Sequence, residues 1–462
     1  MTDATRRDVL WGAAALGATD LSGRAAPDAA LRESIAYRVD RQRRGSGVVM
    51  GIRRPEGRSM LAHGRTRLEG GAPVDGRSIF PAASLTKVFT SLLLADAARR
   101  GELSIDDPLS RHLPAGVGVP AFEGREITLA DLATHGSGLP LRPPNLVSKD
   151  EEDPYAGYRT EHLYAAIAEQ KLSRAPGSKF EYSNYAYGLL GHAIEHRLDA
   201  GFGELLSKRI TGPLGMGDTG LVPPRPDDLR RVQGYSVDSK PVPAWDLAAL
   251  VEAGGLFSTV EDLLTFLGVW IGPRETSLSA AGRDMLRPSR PGASTSVHMG
   301  LGWRIERAGG RTLVWSNGSA GGVRAFMAFR PDTRTGVAGF NNAASGIGVD
   351  DIGRHILDPS EPVDRRIPVV HHEIAYDPSM DRFVGLYRYE PGDELPIRRE
   401  GAGLVTQTGP HVLKVRPEGP TKFFVLELEA DIEFVLGKDG APEALMLTQG
   451  GQTWRYPLVP NR

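Results

Sequence analysis

The hydrophobic period of the chain changes at Gly302-Trp303. Before that point apolar residues recur mostly every three to four positions, as on a helix face. After it they alternate, as in half-buried strands. Helical patterns cover 29–42 (Leu31, Ile35, Val39), 84–100 (Leu85, Val88, Phe89, Leu92, Leu93) and 185–198. Another opens at the capping box Ser258-Thr-Val-Glu261 and reaches about Trp270. Two strands stand apart from this order, 48–52 and 60–63, joined at Pro55-Glu-Gly57 as a hairpin. The alternating strands are 313–316, 323–329 and 336–340.

Four prolines and no helical pattern mark 359–378 as part of a linker. Six to eight short strands separated by Gly, Pro or Asp follow, which predicts a small all-β barrel or sandwich over 381–462. The expected organisation is therefore an address segment at 1–26, a main domain at 27–358, a linker at 359–380 and an accessory domain at 381–462. The address rests on Thr5-Arg6-Arg7, a weakly apolar run at 11–18 and the small-x-small site Gly23-Arg24-Ala25. It predicts export to the periplasm or beyond, with a cytoplasmic location as the alternative.

Composition removes several function classes. A net charge of −2 offers no electrostatic attraction for nucleic acid or an anionic membrane. The absence of Cys excludes disulfides, thiolate metal sites and a Cys nucleophile. No apolar run is long enough to span a membrane. There is no Gly-x-Ser-x-Gly elbow, Walker loop or dinucleotide fingerprint, so no cofactor is expected.

Chemistry concentrates at Ser84-Leu-Thr-Lys87, at the start of a helix. A hydroxyl in a first helical turn sits at the positive end of the helix dipole, and an amine three residues on shares its face. A second titratable group must then keep the lysine neutral or move the proton itself. Tyr182-Ser-Asn184 offers a phenol and a carboxamide on one turn before a helix. A phenol near an ammonium can lose its proton below its usual value near 10. Trp315-Ser316-Asn317-Gly318-Ser319 enters a strand and offers a glycine-loosened edge with backbone N–H groups for an oxyanion. His135, in the last turn of a short helix opened by the capping box Thr128–Asp131, reads as structural. A Pro-rich acidic loop, 141–158, could overhang a cleft.

These segments, in this order, resemble the class C serine β-lactamases and their relatives among esterases, D-aminopeptidases and penicillin-binding proteins. The resemblance covers nearly the whole chain from Ile35, including Gly212–Asp218, Ala253–Thr259 and the Gly-Gly-x-x-x-Phe-x-Ala-Phe run ending at Phe329. It implies an α+β fold, an antiparallel sheet flanked by helices, with a β-rich accessory tail. It also implies roles: Ser84 as acylated nucleophile, Lys87 and Tyr182 as the proton-transfer pair, and Asn184 as an orienting group. Ser84 and Ser319 N–H would form the oxyanion hole, and Ser316, Asn317, Gly318 and Ser319 would line the substrate edge. One residue departs. Where the family has a cation, an imidazole or Trp, this chain has Ser316. A lost charge-assisted contact costs roughly 1.5–3 kcal/mol. The expectation is therefore a serine hydrolase for a neutral ester or small amide. The alternatives are a penicillin-recognising D-amino-acid peptidase or β-lactamase, and a low-turnover scaffold or sensor.

A competing pattern is His192-Ala-Ile-Glu195-His196, the His-x-x-Glu-His spacing of inverted zinc peptidases. The resemblance needs no metal in this helix, so the spacing reads as a coincidence and no metal ligand is assigned. His371-His372 reads as a solvent-exposed part of the linker.

Overall fold

The computed structural model describes residues 25–148, 150, 152–344, 348–366, 369, 371–390, 393–408 and 411–460. The address motif at Thr5-Arg6-Arg7 and the run at 11–18 lie outside the described residues.

An eight-stranded antiparallel sheet organises the main body. From one edge it runs Gly57–Gly64, Gly47–Arg54, Thr335–Asn341, Val323–Arg330, Arg311–Ala320, Arg304–Ala308, Val297–Met299 and Arg290–Pro291. The first hairpin thus pairs with a strand near the far end of the domain, with Val49 opposite Phe340. Side chains alternate between faces, and both faces are covered. Val49, Met327, Ala338 and Phe340 join one core with helices Thr86–Arg99, Asn184–Leu198 and Val260–Ile271. Val48, Met50, Ile52, Phe326 and Val337 join a second with Leu31, Ile35 and Ile352, from helices Ala25–Asp40 and Asp350–Leu357. This is the expected α+β arrangement of an antiparallel sheet flanked by helices.

The tail forms a separate eight-stranded meander from Gly385–Glu390 to Gln452–Pro457, each strand paired with the next. A bridge from Tyr387 to Leu458 and the Val459 N–H donating to the Leu386 carbonyl at 2.8 Å nearly close it. It is a near-closed barrel, and Phe383, Phe423 and Phe434 fill its core. Arg44 of the main body reaches Glu429 of the barrel at 2.5 Å.

Two local expectations change. The cap of helix Val260–Ile271 is Thr259, whose hydroxyl accepts from Asp262 N–H, and not Ser258. Ser258 is held in a short strand opposite Phe80, and its hydroxyl meets Thr219 at 2.8 Å, so it cannot also cap. His371 is not solvent-exposed: its side chain is 8% accessible and its ring stacks on Phe424 at 4.2 Å.

Candidate active site

Ser84 lies in a 3-10 turn, Ala83–Leu85, that runs directly into helix Thr86–Arg99. Ala83 has φ +50, a left-handed conformation that costs a residue with a side chain about 1–3 kcal/mol. That conformation turns the chain sharply from strand Phe80–Pro81 into the helix and leaves Ser84 partly exposed. Strand Arg311–Ala320 presses against the same turn. A Cβ on Gly318 would lie 2.6 Å from Ser84 N, so only glycine permits this approach.

Lys87 is buried, and its Nζ donates three hydrogen bonds: to Ser84 Oγ at 3.0 Å, Asn184 Oδ1 at 2.8 Å and the Ala253 carbonyl at 2.6 Å. Tyr182 OH donates to Ser84 Oγ at 2.7 Å. Asn184 passes its Nδ2 hydrogen to Tyr155 OH at 2.8 Å, which ties the 141–158 loop to the site. Ser183 caps helix Asn184–Leu198 by accepting from Ala186 N–H, fixing where the phenol and the carboxamide leave the chain.

His135 supports this turn from behind. Its Nδ1 accepts from Ser183 N–H at 3.1 Å, and its ring lies 4.4 Å from the Tyr182 ring. Burial, and then the charges of Lys87 and Arg304, hold its pKa well below the usual value, so it stays a neutral acceptor. It touches the site as the structural residue expected from its position.

Burial is the largest influence on Lys87 and lowers its pKa; Tyr182 offsets part of this, and Arg304 lowers it further. For Tyr182, burial alone would raise the phenol. Lys87, by charge and hydrogen bond, then Ser84 and Arg304 outweigh it, and the net shift is downward. A pair with both values depressed surrenders a proton more readily than either group in water. Once that proton is lost, the Ser84 hydroxyl faces a base at hydrogen-bond distance.

Arg304 is the residue the sequence reading missed. It lies on the strand beside the motif strand, opposite Trp315. Its guanidinium stands 5.8 Å from the Tyr182 ring centre and 4.7 Å from that of Trp315. Asn317 links it to the sheet edge, accepting from Arg304 at 3.4 Å while donating to Asp350 at 2.6 Å. Ser316 is buried and carries no charge, yet the site does contain a cation. It arrives from the neighbouring strand. The structure therefore gathers Ser84, Lys87, Tyr182, Asn184, Asn317, Gly318 and Arg304 around one edge. Ser316 lies on that edge with its side chain buried, and Ser319 follows opposite Arg324. His192 and Glu195 lie elsewhere, and His196 points to solvent.

The beta-lactamase family model matches residues 31–357, a stretch that contains every one of these residues. The chain belongs to the beta-lactamase family. Among curated members, the D-alanyl-D-alanine-carboxypeptidase/endopeptidase AmpH of Escherichia coli is 28% identical over 317 residues, covering 63% of this chain and 80% of the relative. Penicillin-binding protein 4* of Bacillus subtilis is 24% identical over 430 residues, covering 86% and 92%. Among solved structures, an octameric penicillin-binding protein homologue from Pyrococcus abyssi aligns with a TM-score of 0.63 at 21% identity, over 93% of this chain and 99% of that one. A class C beta-lactamase from Rhodobacter sphaeroides aligns with a TM-score of 0.58 at 23% identity, over 68% and 93%. The Pyrococcus likeness covers 93% of this chain, so the fold shared with that structure reaches past residue 357 into the barrel, which lies outside the stretch that the family model matches.

Proposed function

We propose that this beta-lactamase family member is a serine hydrolase that cleaves an ester or small amide through an acyl-enzyme on Ser84. The observation that carries this is the Ser84 hydroxyl held between Lys87 Nζ at 3.0 Å and Tyr182 OH at 2.7 Å. Ser84 Oγ attacks the acyl carbonyl and its proton passes to the Lys87–Tyr182 pair. The carbonyl oxygen becomes an oxyanion facing the N–H groups of Ser84 and Ser319. As the tetrahedral intermediate collapses, the bond to the leaving group breaks and the pair returns the proton to the departing alcohol or amine. Water then repeats the sequence on the acyl-ester and frees Ser84. Asn184 holds the Lys87 ammonium in line and presents its amide to the acyl side.

Arg304 supports a second reading of the substrate. A guanidinium beside the Ser316–Ser319 edge, with no carboxylate in salt-bridge contact among the described residues, suits a substrate that carries its own carboxylate. Small peptides ending in a D-amino acid have that chemistry, and AmpH of Escherichia coli is named for such an activity.

The test is a panel of p-nitrophenyl esters, D-amino-acid amides, carboxylate-terminated D-peptides and a chromogenic β-lactam, with intact-mass detection. Wild type should gain an acyl mass, Ser84→Ala should gain none, and Tyr182→Phe should fold normally with turnover reduced roughly 100-fold or more. Equal mass gain in Ser84→Ala would remove Ser84 as nucleophile. A strong preference for the carboxylate-bearing peptides would select the second substrate class over the first.

A further inference from the structure

Behind the Lys87 site lies a separate cluster that the hydrolytic chemistry does not use. His192 and Glu195 project from helix Asn184–Leu198, and Glu252 comes from the short helix Val251–Gly254. One ligand atom from each lies within 4.8 Å of the others. Glu252 is 1% exposed, and its Oε2 has no hydrogen-bond partner. A buried, unpartnered carboxylate oxygen is expensive unless something positive meets it. No ammonium or guanidinium pairs with Glu195 or Glu252 among the described residues.

The surroundings hold these groups in place. Gly191 lets Glu252 lie against the helix, since a Cβ there would meet Glu252 Cγ at 2.0 Å. Glu195 Oε1 accepts from Phe202 N–H at 2.6 Å, which fixes one carboxylate oxygen and leaves the other. The Ala249 carbonyl lies 3.2 Å from His192 Nε2 and can only accept, so Nε2 carries the proton. That leaves Nδ1 with a lone pair; the OH of half-buried Tyr164 donates into it at 3.0 Å and has to turn aside for an ion to take that position. A backbone carbonyl fixing one imidazole nitrogen so that the other can coordinate is how protein metal sites orient their histidines.

We propose that His192, Glu195 and Glu252 form a binding site for a divalent transition-metal ion of the Zn2+ type, distinct from the Ser84 site. One imidazole nitrogen with two carboxylates suits Zn2+ or Mn2+ better than Ca2+ or Mg2+, which favour all-oxygen sets. The two carboxylates would neutralise the ion's charge, and the ion would satisfy Glu252 Oε2. The ion has a structural role. Thr90 Oγ1 donates to the Glu252 carbonyl at 2.8 Å and Lys87 Nζ to the next carbonyl, Ala253, so the ion would brace the segment that receives the Lys87 ammonium. The site differs from the His-x-x-Glu-His reading, because Glu252 takes the place that His196 would have held.

The experiment uses the full chain, free of affinity tag, stripped with a chelator and dialysed. Titration with Zn2+ followed by calorimetry and elemental analysis should give about one ion per chain, with a concentration-dependent rise in Tm. Mg2+ at the same concentration should give neither. Glu252→Gln should fold, with a metal-free Tm equal to or above wild type, yet bind Zn2+ roughly 100-fold more weakly and lose the rise. His192→Gln should behave alike, and Ser84→Ala should bind as wild type does. A second group, His371, Glu418 and Asp431, also lies within 4.8 Å. Binding that survives Glu252→Gln but is lost in Glu418→Gln would move the ion there and overturn the proposal. Absence of Zn2+ binding in wild type would overturn it too, and would leave Glu252 as a buried protonated acid.

Discussion

Replacing Arg304 with glutamine should move the pH at which activity switches on upward by about one unit. The guanidinium stands 5.8 Å from the centre of the Tyr182 ring. At that separation and an effective dielectric near 20, a cation stabilises a phenolate by about 3 kcal/mol, or about two pH units. Solvent around the partly exposed guanidinium and dissolved salt reduce this to about one unit. The sign follows from charge. Arg304 favours the phenolate and disfavours the Lys87 ammonium, so both deprotonations occur earlier in its presence. Removing it postpones both. The assay is kcat/KM for p-nitrophenyl butyrate between about pH 6 and 10, where the rising limb reports free enzyme. Arg304→Gln should shift the limb to higher pH and recover much of its rate there, whereas Arg304→Lys should keep the wild-type midpoint. An unmoved midpoint in Arg304→Gln, or an equal shift in Arg304→Lys, would show that the charge does not tune the pair.

Gly318→Ala places a Cβ 2.6 Å from Ser84 N, a backbone atom with no rotamer to escape into. It should lower kcat roughly 10- to 100-fold with a modest loss of Tm, and wild-type kcat would show that the Ser84 turn is not held from that side. Asp350 is half-buried, and the loss of solvent around its carboxylate pushes its pKa up to about 6 despite the opposing Asn317 hydrogen bond and Arg324 charge. The folded protein therefore holds this proton more tightly than the unfolded chain. Its contribution is full below the unfolded value near 4 and is lost as pH rises through about 6. Asp350→Asn should flatten the fall in Tm between about pH 4 and 7, and parallel curves for the two proteins would refute the assignment.

What could be read in the sequence was what local spacing determines. Ser84 and Lys87 share a helix face, and Tyr182 and Asn184 share a capped turn, so both pairs are visible within a few residues. The eight tail strands are likewise marked by their own turns. Arg304 was invisible because its place depends on cross-strand register: it meets the site only because it pairs with Trp315. Ser316 was visible as a missing cation, and the guanidinium on the neighbouring strand was not. Glu252 is hidden for a similar reason, since nothing in its neighbours announces that Gly191 opens a space for it. The edge strands Val297–Met299 and Arg290–Pro291 are too short to show a period. The shift of the cap from Ser258 to Thr259 required knowing that Phe80 would pair with Ser258.

The order of the main sheet also sets a schedule for synthesis. Strand Gly47–Arg54 is made early, but one of its two neighbours, Thr335–Asn341, is made near the end of the domain. At roughly 5–20 residues per second, the growing chain carries an unpaired strand edge, apolar from Val48 to Ile52, for on the order of tens of seconds. Until then the hairpin has no sheet to join, and a nascent chain stalled before residue 335 would be sticky and in need of a chaperone. The tail barrel has the opposite history. Each of its strands meets its partner as soon as both are made, so it folds last in time but with almost no waiting.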